Sequence, residues 1–469
     1  MIACGIDIGT TNLKVVLIDA AGRMLGQLAR PTPRVEENGA PVTDPGALLA
    51  IIETMLIAVW RQSGAPGPVT AISTTGVGED GFLVDAGLRP LTRAIPWFDR
   101  RAASEADELE ASHSAQARTG LTFELTRTAP KWLWLSRNTP KLPDATWISV
   151  TDYPLAAWSE TPFISETLAA RTACYDVANH RWIDELLAAS SAPALPPVLP
   201  GAAIIGRMRS DALVSSGVAT RETALVAGGH DHPVAASFIR RRMGDAIVDS
   251  LGTAELIYAE TGHYNPLPRT GLVHSPAILK SGGQALTYVF ELARAIQPIS
   301  DLPDAQELFD AAANTPGIPS TDPWLPTDHA IAELPTQLQA TAYDRLSIVR
   351  SVLEGCAFVA RSVIDEMQLA GGIAGPLYCS GGRSRSDSWM KFRANAIGVP
   401  VYRLAEDEQA ALGAAFIALS AIAPEGWKPA PSAVTTFQPT AIATGYTARF
   451  APLAAAFRAL RAPPQRPIS

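Results

Sequence analysis

Cysteine is scarce in this sequence and is never grouped. The 469 residues include four, Cys4, Cys174, Cys356 and Cys379, and no two have the paired spacing of a zinc motif. Four scattered cysteines do not form a disulfide framework in a chain of this length, so a reducing compartment is expected. We interpret each of them as a small, buried, apolar side chain.

Long apolar runs and targeting segments are also missing. The uncharged, largely apolar stretch 410–424 is shorter than the roughly 20 residues that a membrane-spanning helix needs. Residues 1–4 lead directly into a strand pattern, without the basic segment or the cleavage site of a signal peptide. The sequence therefore predicts a soluble, cytoplasmic protein with no membrane partner.

Positive charge is in the minority. The chain has 38 Lys and Arg against 46 Asp and Glu, a net charge of -8. A nucleic-acid-binding surface would need a basic stripe, so nucleic acid is not an expected partner. The hydrophobic fraction of 47% is that of a globular enzyme, and at roughly 150 residues per domain the chain allows two large domains or three small ones.

Two common nucleotide-binding motifs are absent or out of context. No GxxxxGK[ST] segment occurs, which excludes a P-loop. Residues 76–81 match the dinucleotide pattern GxGxxG, but that pattern binds a pyrophosphate only where a helix follows. Here residues 82–87 have the pattern of a strand and a turn, so we do not expect a dinucleotide site.

The N-terminal segment has instead a strand-turn-strand pattern. Residues 2–8 and 13–18 are predicted strands around the turn 9–11, and a third strand is predicted at 24–29. An amphipathic helix is predicted at 45–60, with a proline just inside its start, and a strand at 69–74. This βββαβ order predicts an α/β fold.

A similar turn follows about half a chain later. Strands are predicted at 246–250 and 255–258, around the turn 251–253. Glycine lets a backbone approach a phosphate closely, and threonine donates from its hydroxyl. Two related halves would thus point two Gly-Thr turns at a shared cleft. Asp7, just before the first turn, is a candidate to hold Mg²⁺ through water molecules, and Lys14 adds a positive charge.

The rest of the second half is predicted to alternate helices and strands. The predicted helices are 343–369, 387–397 and 408–420, and the predicted strands are 376–380 and 399–404. Residues 298–341 are rich in Pro, Asp and Thr and show little periodicity. We expect this segment to be a long excursion on the surface.

These segments together resemble the FGGY family of carbohydrate kinases, which have the actin-like (ribonuclease H-like) ATPase fold. The resemblance covers about residues 2–420 and consists of five separated segments in family order. The segments are 5–14; 78–85 with 94–101; 151–155; 228–231 with 249–253; and 380–389 with 398–401 and 412–415.

The resemblance implies a fold, a reaction and a set of site residues. The implied fold has two related α/β domains, 1–242 and 243–469, with a cleft between them, and the implied reaction is ATP-dependent phosphorylation of a small sugar with Mg²⁺. Asp231 would be the general base and Asp7 would organise the metal. The residues implied for ATP are Gly9, Thr10, Thr11, Asn12, Lys14, Gly252, Thr253, Gly381, Gly382 and Arg385. Those implied for the sugar are Gly78, Glu79, Asp80, Trp97, His230, Asp231 and His232.

Some of these residues also have ordinary structural interpretations. Trp97 is equally consistent with core packing, and Asp80 with a simple turn. The histidines flanking Asp231 could cap a helix or lie in the core. Carboxylates, imidazoles and one aromatic face are nevertheless the residue types that bind the hydroxyls and the C–H face of a sugar.

The substrate prediction depends on two short segments. Residues 78–81 and 229–231 are more similar to deoxyketose kinases of the fuculose and rhamnulose types than to glycerol kinases, which carry Arg where this chain has Gly78. A ketose, a deoxyketose, a related polyol or a sugar acid is the preferred substrate class.

Two departures and two alternatives stay open. Residues 289–292 replace a glycine that usually borders the nucleotide, and 316–340 replace the usual Gly-Glu-Arg segment, which leaves the adenine-side contacts unassigned. A catalytically silent binding module and a non-sugar actin-like ATPase are the alternative functions. The oligomeric state is open, with a homodimer as one candidate.

Overall fold

The computed structural model describes residues 1–37, 39–140, 142, 144–252, 254–262, 271–278, 283–317, 323–339, 342–371, 373, 375–406, 409–430 and 432–461. The chain divides into two compact units, and neither is a continuous stretch of the sequence. The first unit comprises Met1–Met243, His274–Ala285 and Glu408–Pro431; the second comprises Gly244–Val273, Leu286–Asp407 and Ser432–Ser469.

Residues 1–243 contain fourteen strands and nine helices among the described residues. The strands are β1 (Ile2–Ile8), β2 (Asn12–Asp19), β3 (Met24–Pro31), β4 (Val35–Glu37), β5 (Ala40–Val42), β6 (Val69–Gly76), β7 (Gly81–Val84), β8 (Thr146–Ser149), β9 (Ile164–Ser165), β10 (Tyr175–Asp176), β11 (Arg181–Trp182), β12 (Val198–Leu199), β13 (Ile204–Arg207) and β14 (Ala219–His230). The helices are α1 (Pro45–Gln62), α2 (Ala103–Ser112), α3 (Gln116–Thr119), α4 (Thr128–Asn138), α5 (Tyr153–Ser159), α6 (Glu166–Ala169), α7 (Asp184–Ala189), α8 (Asp211–Ser215) and α9 (Asp231–Met243). A 3₁₀ turn, Ala170–Thr172, follows α6.

Residues 244–469 contain seven strands and eight helices in the part that the structure describes. The strands are β15 (Ile247–Leu251), β16 (Glu255–Thr261), β17 (Val273–Pro276), β18 (Gln284–Phe290), β19 (Leu377–Ser380), β20 (Val401–Leu404) and β21 (Val434–Phe437). The helices are α10 (Leu292–Ser300), α11 (Ala305–Asn314), α12 (Asp328–Gln337), α13 (Ala342–Gly371), α14 (Asp387–Ile397), α15 (Gln409–Ile422), α16 (Ala443–Phe450) and α17 (Ala454–Arg461). None of the described helices is both long and apolar enough to cross a bilayer.

The main sheet of the first unit has six strands in the order β13-β14-β6-β1-β2-β3. β1 is antiparallel to β2 but parallel to β6, and β6 is parallel to β14. Every residue of β1 is buried, as expected for a central strand covered on both faces. The predicted βββαβ opening is confirmed, with the short β4–β5 hairpin as an unpredicted addition before α1.

Helix α1 shows why the sequence folds as predicted in this segment. The Asp44 side chain accepts a hydrogen bond from the Ala47 N–H, and Pro45 occupies the first turn, where a missing N–H costs nothing. Leu48, Ile52 and Leu56 recur at helical spacing and are buried in the core of the first unit.

Helix α15 packs in the first unit although it follows most of the second in sequence. An added Cβ at Gly5 of β1 would lie 1.9 Å from the Ala411 carbonyl oxygen of α15. An added Cβ at Gly413 would lie 2.2 Å from the Val234 carbonyl oxygen of α9. These two glycines therefore allow the α15 backbone to approach both β1 and α9 closely.

The main sheet of the second half has the order β17-β18-β16-β15-β19-β20-β21. β15 and β16 form an antiparallel hairpin, and β15 is parallel to β19. The predicted second strand-turn-strand segment is confirmed, as are the helices α13 and α14 and the strand β19.

The expectation of a surface excursion at 298–341 is wrong for the described residues. Helices α11 and α12 form within it, and Phe309, Ala312, Leu334 and Leu338 are buried in the core of the second unit. Proline-rich composition concealed two short amphipathic helices, one of which accommodates Pro335 in its interior. All four cysteines are buried free thiols, as predicted.

Candidate active site

Two loops and the start of helix α9 lie side by side in the first unit because three parallel strands end at the same level. Gly76 of β6 is in register with Ile8 of β1 on one side and with His230 of β14 on the other. The residues that follow these strands are therefore neighbours at one edge of the sheet, since adjacent strands lie about 4.8 Å apart. Gly9 and Val77 begin two loops, and Asp231 begins helix α9 directly.

The first loop is the predicted phosphate turn, and its carbonyl groups are occupied. The Gly9 N–H donates to the Asn12 carbonyl at 3.1 Å, which closes the turn. The Thr32 hydroxyl donates to the Gly9 carbonyl at 2.7 Å, and Arg34 Nη2 donates to the Thr10 carbonyl at 3.2 Å. Within the described residues, no hydrogen bond uses the N–H groups of Thr10 and Thr11. Two backbone donors in a turn are suited to bind an anion.

Asp7 lies two residues before this turn, at the end of β1. It is 8% exposed and is in register with Lys14 of β2 and with Thr75 of β6. Mg²⁺ needs six oxygen ligands and usually takes one or two carboxylates, the rest being water and substrate phosphate oxygens. One carboxylate beside an anion-binding turn fits this requirement, and Asp7 is the residue that would hold the ion.

The third strand, β14, leads directly into α9, whose first residue is Asp231, the predicted base. The Thr75 hydroxyl donates to the Gly229 carbonyl at 2.9 Å, and the His230 N–H donates to the Thr167 hydroxyl at 3.0 Å. Gly229 has φ +142°, and an added Cβ there would lie 2.1 Å from Thr167 Oγ1. The end of β14 is thus fixed in place immediately before the carboxylate.

Both neighbouring histidines face one oxygen of the Asp231 carboxylate. His230 Nε2 lies 3.2 Å and His232 Nε2 lies 3.7 Å from Asp231 Oδ1, which also accepts the His232 N–H at 2.7 Å. Among the described residues, Oδ2 makes no hydrogen bond. Burial lowers the pKa of His230 to about 4, against the opposing effect of Asp231, so this imidazole is neutral at pH 7.

The second loop carries the predicted sugar-side acids, Glu79 and Asp80. Glu79 is 7% exposed, and its Oε1 accepts from Arg171 Nε at 2.8 Å, from Arg171 Nη2 and from Arg127 Nη1 at 3.1 Å. Burial alone would raise the pKa of Glu79, but the Arg171 and Arg127 guanidiniums lower it to about 2. Lys131 Nζ donates to the Glu79 carbonyl at 3.0 Å.

Asp80 is buried like its neighbour but titrates in the opposite direction. Burial raises its pKa to about 6, and the nearby Lys131 and Arg34 charges only partly compensate. The pKa values of these two adjacent carboxylates are thus shifted in opposite directions, because only Glu79 is bonded directly to guanidiniums.

Trp97 connects the sugar-side loop to the phosphate turn. Its backbone N–H donates to Asp80 Oδ1 at 2.6 Å, and its indole Nε1 donates to the Thr10 hydroxyl at 2.9 Å. The residue is 37% exposed, so its core-packing interpretation is wrong. Asp80 is likewise more than a turn residue, because its side chain holds this tryptophan in place.

The GxGxxG segment at 76–81 is followed by β7, as predicted, and not by a helix. A dinucleotide pyrophosphate would therefore find no helix N-terminus here.

The second unit has its own turn, at the ends of β15 and β19. The Gly252 N–H donates to the Ala254 carbonyl at 3.1 Å. Gly381 has φ +83°, and an added Cβ there would lie 2.7 Å from the Leu251 carbonyl carbon, so glycine is required on both grounds. Thr253, predicted to bind phosphate, lies outside the described residues.

A cavity of about 430 Å³ lies beside this turn and includes two predicted ATP residues. Its lining comprises Gln306, Phe309, Gly382, Arg383, Arg385, Ser386 and Trp389. Gln306 and Phe309 come from α11, in the segment that had been expected to form a surface excursion.

Sequence reasoning missed the cations that surround Glu79. Arg127, Lys131 and Arg171 occur in segments without a recognisable pattern, up to 92 residues from Glu79 in sequence. Thr167, which supports the base, was missed for the same reason. The one local signal was a lysine, Lys131, directly before the aromatic run 132–134 in the sequence. A lysine that is buried together with such a run needs a partner, and Lys131 is fully buried.

The fold is that of the actin-like ATPase class, and one edge of its first sheet carries both a Gly-Thr turn and a carboxylate at a helix start. The chain is similar over nearly its whole length to known sugar kinases. The glycerol kinase of Alkalilimnicola ehrlichii is 26% identical over 480 residues, covering 92% of this chain and 93% of the relative. The xylulose kinase of Escherichia coli is 26% identical over 446 residues, 90% of each chain. The solved structure of the xylulose kinase from Rhodospirillum rubrum matches with a TM-score of 0.84 at 21% identity, covering 98% of this chain and 99% of that one.

Models of the FGGY family of carbohydrate kinases match both parts of the sequence, the N-terminal domain at residues 2–237 and the C-terminal domain at 261–422. The chain belongs to this family. The predicted fold, the enzyme class of carbohydrate kinase and the use of ATP with Mg²⁺ are thereby confirmed.

Proposed function

We propose that this kinase transfers the γ-phosphoryl group of ATP to a hydroxyl of a small sugar, with Asp231 as the general base. The observation that carries the proposal is the place of Asp231 Oδ2. This oxygen has no hydrogen-bond partner among the described residues, and the carboxylate lies at the end of β14, next to the loop of Glu79 and Asp80. A sugar hydroxyl bound by that loop would be within reach of a free acceptor.

The two oxygens of the Asp231 carboxylate are proposed to have different roles. Oδ1 is held by the His232 N–H and faced by both imidazoles, so the carboxylate cannot rotate freely. Oδ2 accepts the proton of the attacking hydroxyl as the new O–P bond forms. Phosphoryl transfer depends on positioning and charge stabilisation more than on covalent help, which suits a rigidly held carboxylate.

The phosphate chain of ATP is proposed to meet the N–H groups of Thr10 and Thr11. Gly9, Asn12 and Lys14 belong to the same hairpin and are proposed to contribute to this contact, and Gly252, Thr253, Gly381, Gly382 and Arg385 are the proposed ATP residues of the second half. Mg²⁺, held near Asp7, neutralises phosphate charge when it is bound. Lys14 adds a fixed positive charge on the same hairpin.

The sugar is proposed to bind Glu79, Asp80, His230 and His232, with the exposed Trp97 face against its C–H side. Gly78 lies in the same loop and leaves room for the Arg171 side chain beside His230. Relatives are named as kinases of glycerol and xylulose, and a structural neighbour as a gluconate kinase. A ketose or deoxyketose remains the preferred class, with polyols and sugar acids as the next candidates.

The test is the variant Asp231→Asn, compared with Asp85→Asn in a surface turn of the same unit. ADP release is measured with glycerol, xylulose, fuculose, rhamnulose and gluconate. Wild type should turn over at least one of them, and Asp231→Asn should lower kcat on that sugar by about 10²–10⁴-fold, the usual contribution of a general base, with ATP affinity retained. Asp85→Asn should behave as wild type.

Two results would contradict the proposal. Near-wild-type turnover by Asp231→Asn would remove Asp231 from the base role. A wild-type protein that binds a sugar by calorimetry but turns over none of the five would favour the catalytically silent binding module, which keeps the fold without the reaction.

A further inference from the structure

The ion cluster around Glu79 leaves one acceptor and one donor unused. All three guanidinium hydrogen bonds go to Glu79 Oε1, two of them from Arg171 and one from Arg127. Within the described residues, Glu79 Oε2 and Arg171 Nη1 make no hydrogen bond. Neither atom is fully enclosed by the protein. A carboxylate oxygen and a guanidinium N–H of the same ion pair therefore each keep some accessible surface.

Gly78 explains how Arg171 reaches this position. An added Cβ at Gly78 would lie 2.9 Å from Arg171 Cγ and 3.0 Å from His230 Cδ2. The aliphatic stem of Arg171 thus passes over the bare backbone of Gly78, beside the imidazole that contacts Asp231. The absence of a side chain at position 78 thus lets Arg171 extend to Glu79.

Arg127 and Arg171 hold the same carboxylate but differ in what else they can do. Arg127 also donates to Glu124 at 3.0 Å, and its Nε is enclosed without a partner among the described residues. Arg171 has no second acidic partner there, and its side chain is 19% exposed. Arg127 can keep Glu79 ionised without contacting a ligand, while Arg171 keeps an N–H donor at accessible surface.

We propose that Arg171 is a specificity-determining residue, which pairs with Glu79 to bind one hydroxyl of the substrate. The hydroxyl donates to Glu79 Oε2 and accepts from Arg171 Nη1, so both halves of its hydrogen-bonding capacity are used. This inference rests on the proposed function of the site, because it takes the Gly78–Asp80 loop as the sugar side.

The pair also selects against two kinds of substrate. An analogue without this hydroxyl leaves a carboxylate oxygen and a guanidinium N–H unpaired, which sites built for a hydroxyl reject strongly. A carboxylate at the same place is repelled by the ionised Glu79. The substrate end beside Arg171 is therefore an uncharged, hydroxylated carbon, which favours neutral sugars and polyols over sugar acids bound in this orientation.

The experiment compares Arg171→Met with Arg127→Met. Arg171→Met keeps most of the stem volume and removes the donor, whereas Arg127→Met removes a guanidinium whose two Nη atoms are both bonded to carboxylates, those of Glu79 and Glu124. The probe is the best neutral substrate among glycerol, xylulose, fuculose and rhamnulose, together with its monodeoxy analogues. Sugar binding is measured by calorimetry in the Asp231→Asn background, and kcat and KM are measured in the wild-type background.

Arg171→Met is expected to raise the sugar Kd and KM by about 10–100-fold, as for loss of a charged hydrogen-bond donor, with kcat changed less. Wild type should prefer the parent sugar over one particular monodeoxy analogue, and in Arg171→Met this preference should fall by a similar factor. Arg127→Met should lower the thermal midpoint without reducing that preference. Arg171→Lys keeps the charge but loses the planar set of guanidinium N–H donors. Its sugar Kd and its preference for the parent sugar should lie between those of wild type and Arg171→Met.

The proposal is overturned if Arg171→Met discriminates between parent and deoxy sugars as wild type does, or if Arg127→Met loses as much discrimination. If Arg171→Met does not fold, Gly78→Ala gives the second reading, because the added methyl displaces the Arg171 stem while every charge remains. Unchanged discrimination in Gly78→Ala would then overturn the proposal. A wild-type protein that binds none of the sugars would instead refute the proposed function on which the inference rests.

Discussion

The hairpins β1–β2 and β15–β16 have the same construction in the two units. Each is antiparallel, each has a first strand that is parallel to a strand leading into a glycine-containing loop, and each turn is closed by a glycine N–H at 3.1 Å from a carbonyl. The loops that follow the parallel neighbours contain Gly78 and Gly381. This similarity supports the repeat that the sequence indicated.

The carboxylates of the two hairpins have nevertheless separate environments. Asp7 precedes its turn glycine by two residues, and Asp249 precedes Gly252 by three. Because side chains alternate across a strand, this single-residue difference places the two carboxylates on opposite faces of their respective hairpins, when the hairpins are aligned on their turn glycines. Asp7 lies beside the phosphate turn, whereas Asp249 is fully buried and forms an ion pair with Arg393.

The buried cluster in the second unit is an internal charge network. Arg393 Nη2 also donates to Glu255 at 2.7 Å, and Cys379 Sγ lies 3.5 Å from Asp249. Burial raises the pKa of Glu255 to about 8, with Arg393 opposing the shift. The same hairpin thus carries a carboxylate beside the predicted phosphate turn in one unit and a buried, ion-paired carboxylate in the other. Variants of the two clusters should affect different measurements.

The largest effect is expected from Arg393→Met. This change leaves Asp249 and Glu255 buried without their cation, and breaking a buried ion pair costs about 3–5 kcal/mol. Urea unfolding should show that loss in the free energy of unfolding. Asp249→Asn, which keeps Arg393 and its hydrogen bond to Glu255, is the matched control and should cost less. Equal stability of Arg393→Met and wild type would show that the network contributes nothing to the fold.

Asp7→Asn should give the opposite result, with loss of turnover and no loss of stability. A residue that holds Mg²⁺ through water typically contributes about 10–100-fold, and the amide keeps the volume of the side chain. The kcat should fall by that factor, and the Mg²⁺ concentration for half-maximal rate should rise. If the unfolding free energy fell by as much as in Arg393→Met, the contrast between the two hairpins would fail.

The sequence was sufficient for the elements whose signals are local. Strand β1, helix α1 and helix α14 have caps, turns or regular periodicity within a few residues, and their bounds were predicted closely. Helix α11 was missed because its apolar stripe is short and lies between prolines. The packing of α15 against Gly5 could not be predicted, since that contact joins residues about 400 positions apart.

The site shows the same limit. Gly9, Asp231 and the Glu79–Asp80 pair occur in short segments with family character, so they could be predicted as site residues. The guanidiniums of Arg127 and Arg171 reach Glu79 from distant segments, so no spacing could reveal them. Consequently the charged state of Glu79 and the opposite shift of Asp80 could be known only from the folded chain.

The smallest effect is expected from Asp80→Asn, which tests whether the first unit sacrifices stability for its site. The pKa of Asp80 rises from 3.8 to about 6 on folding, so the folded state binds the proton more tightly than the unfolded chain. Below pH 3.8 both states are protonated and ionisation costs nothing. As the pH rises from 3.8 to 6, the unfolded chain ionises first and the stability of the wild type falls, and above pH 6 the full cost remains.

Each pKa unit corresponds to 1.36 kcal/mol, so the cost of ionising Asp80 is at most about 3 kcal/mol. The amide removes this cost but is a poorer partner for the Trp97 N–H and for Lys131, so we expect a net gain of about 1 kcal/mol. Urea unfolding at pH 4 and pH 8 should show Asp80→Asn gaining stability over wild type only at the higher pH, while sugar turnover falls. If the unfolding free energies of Asp80→Asn and wild type differed equally at both pH values, burial of the Asp80 charge would not be the cause of the stability cost.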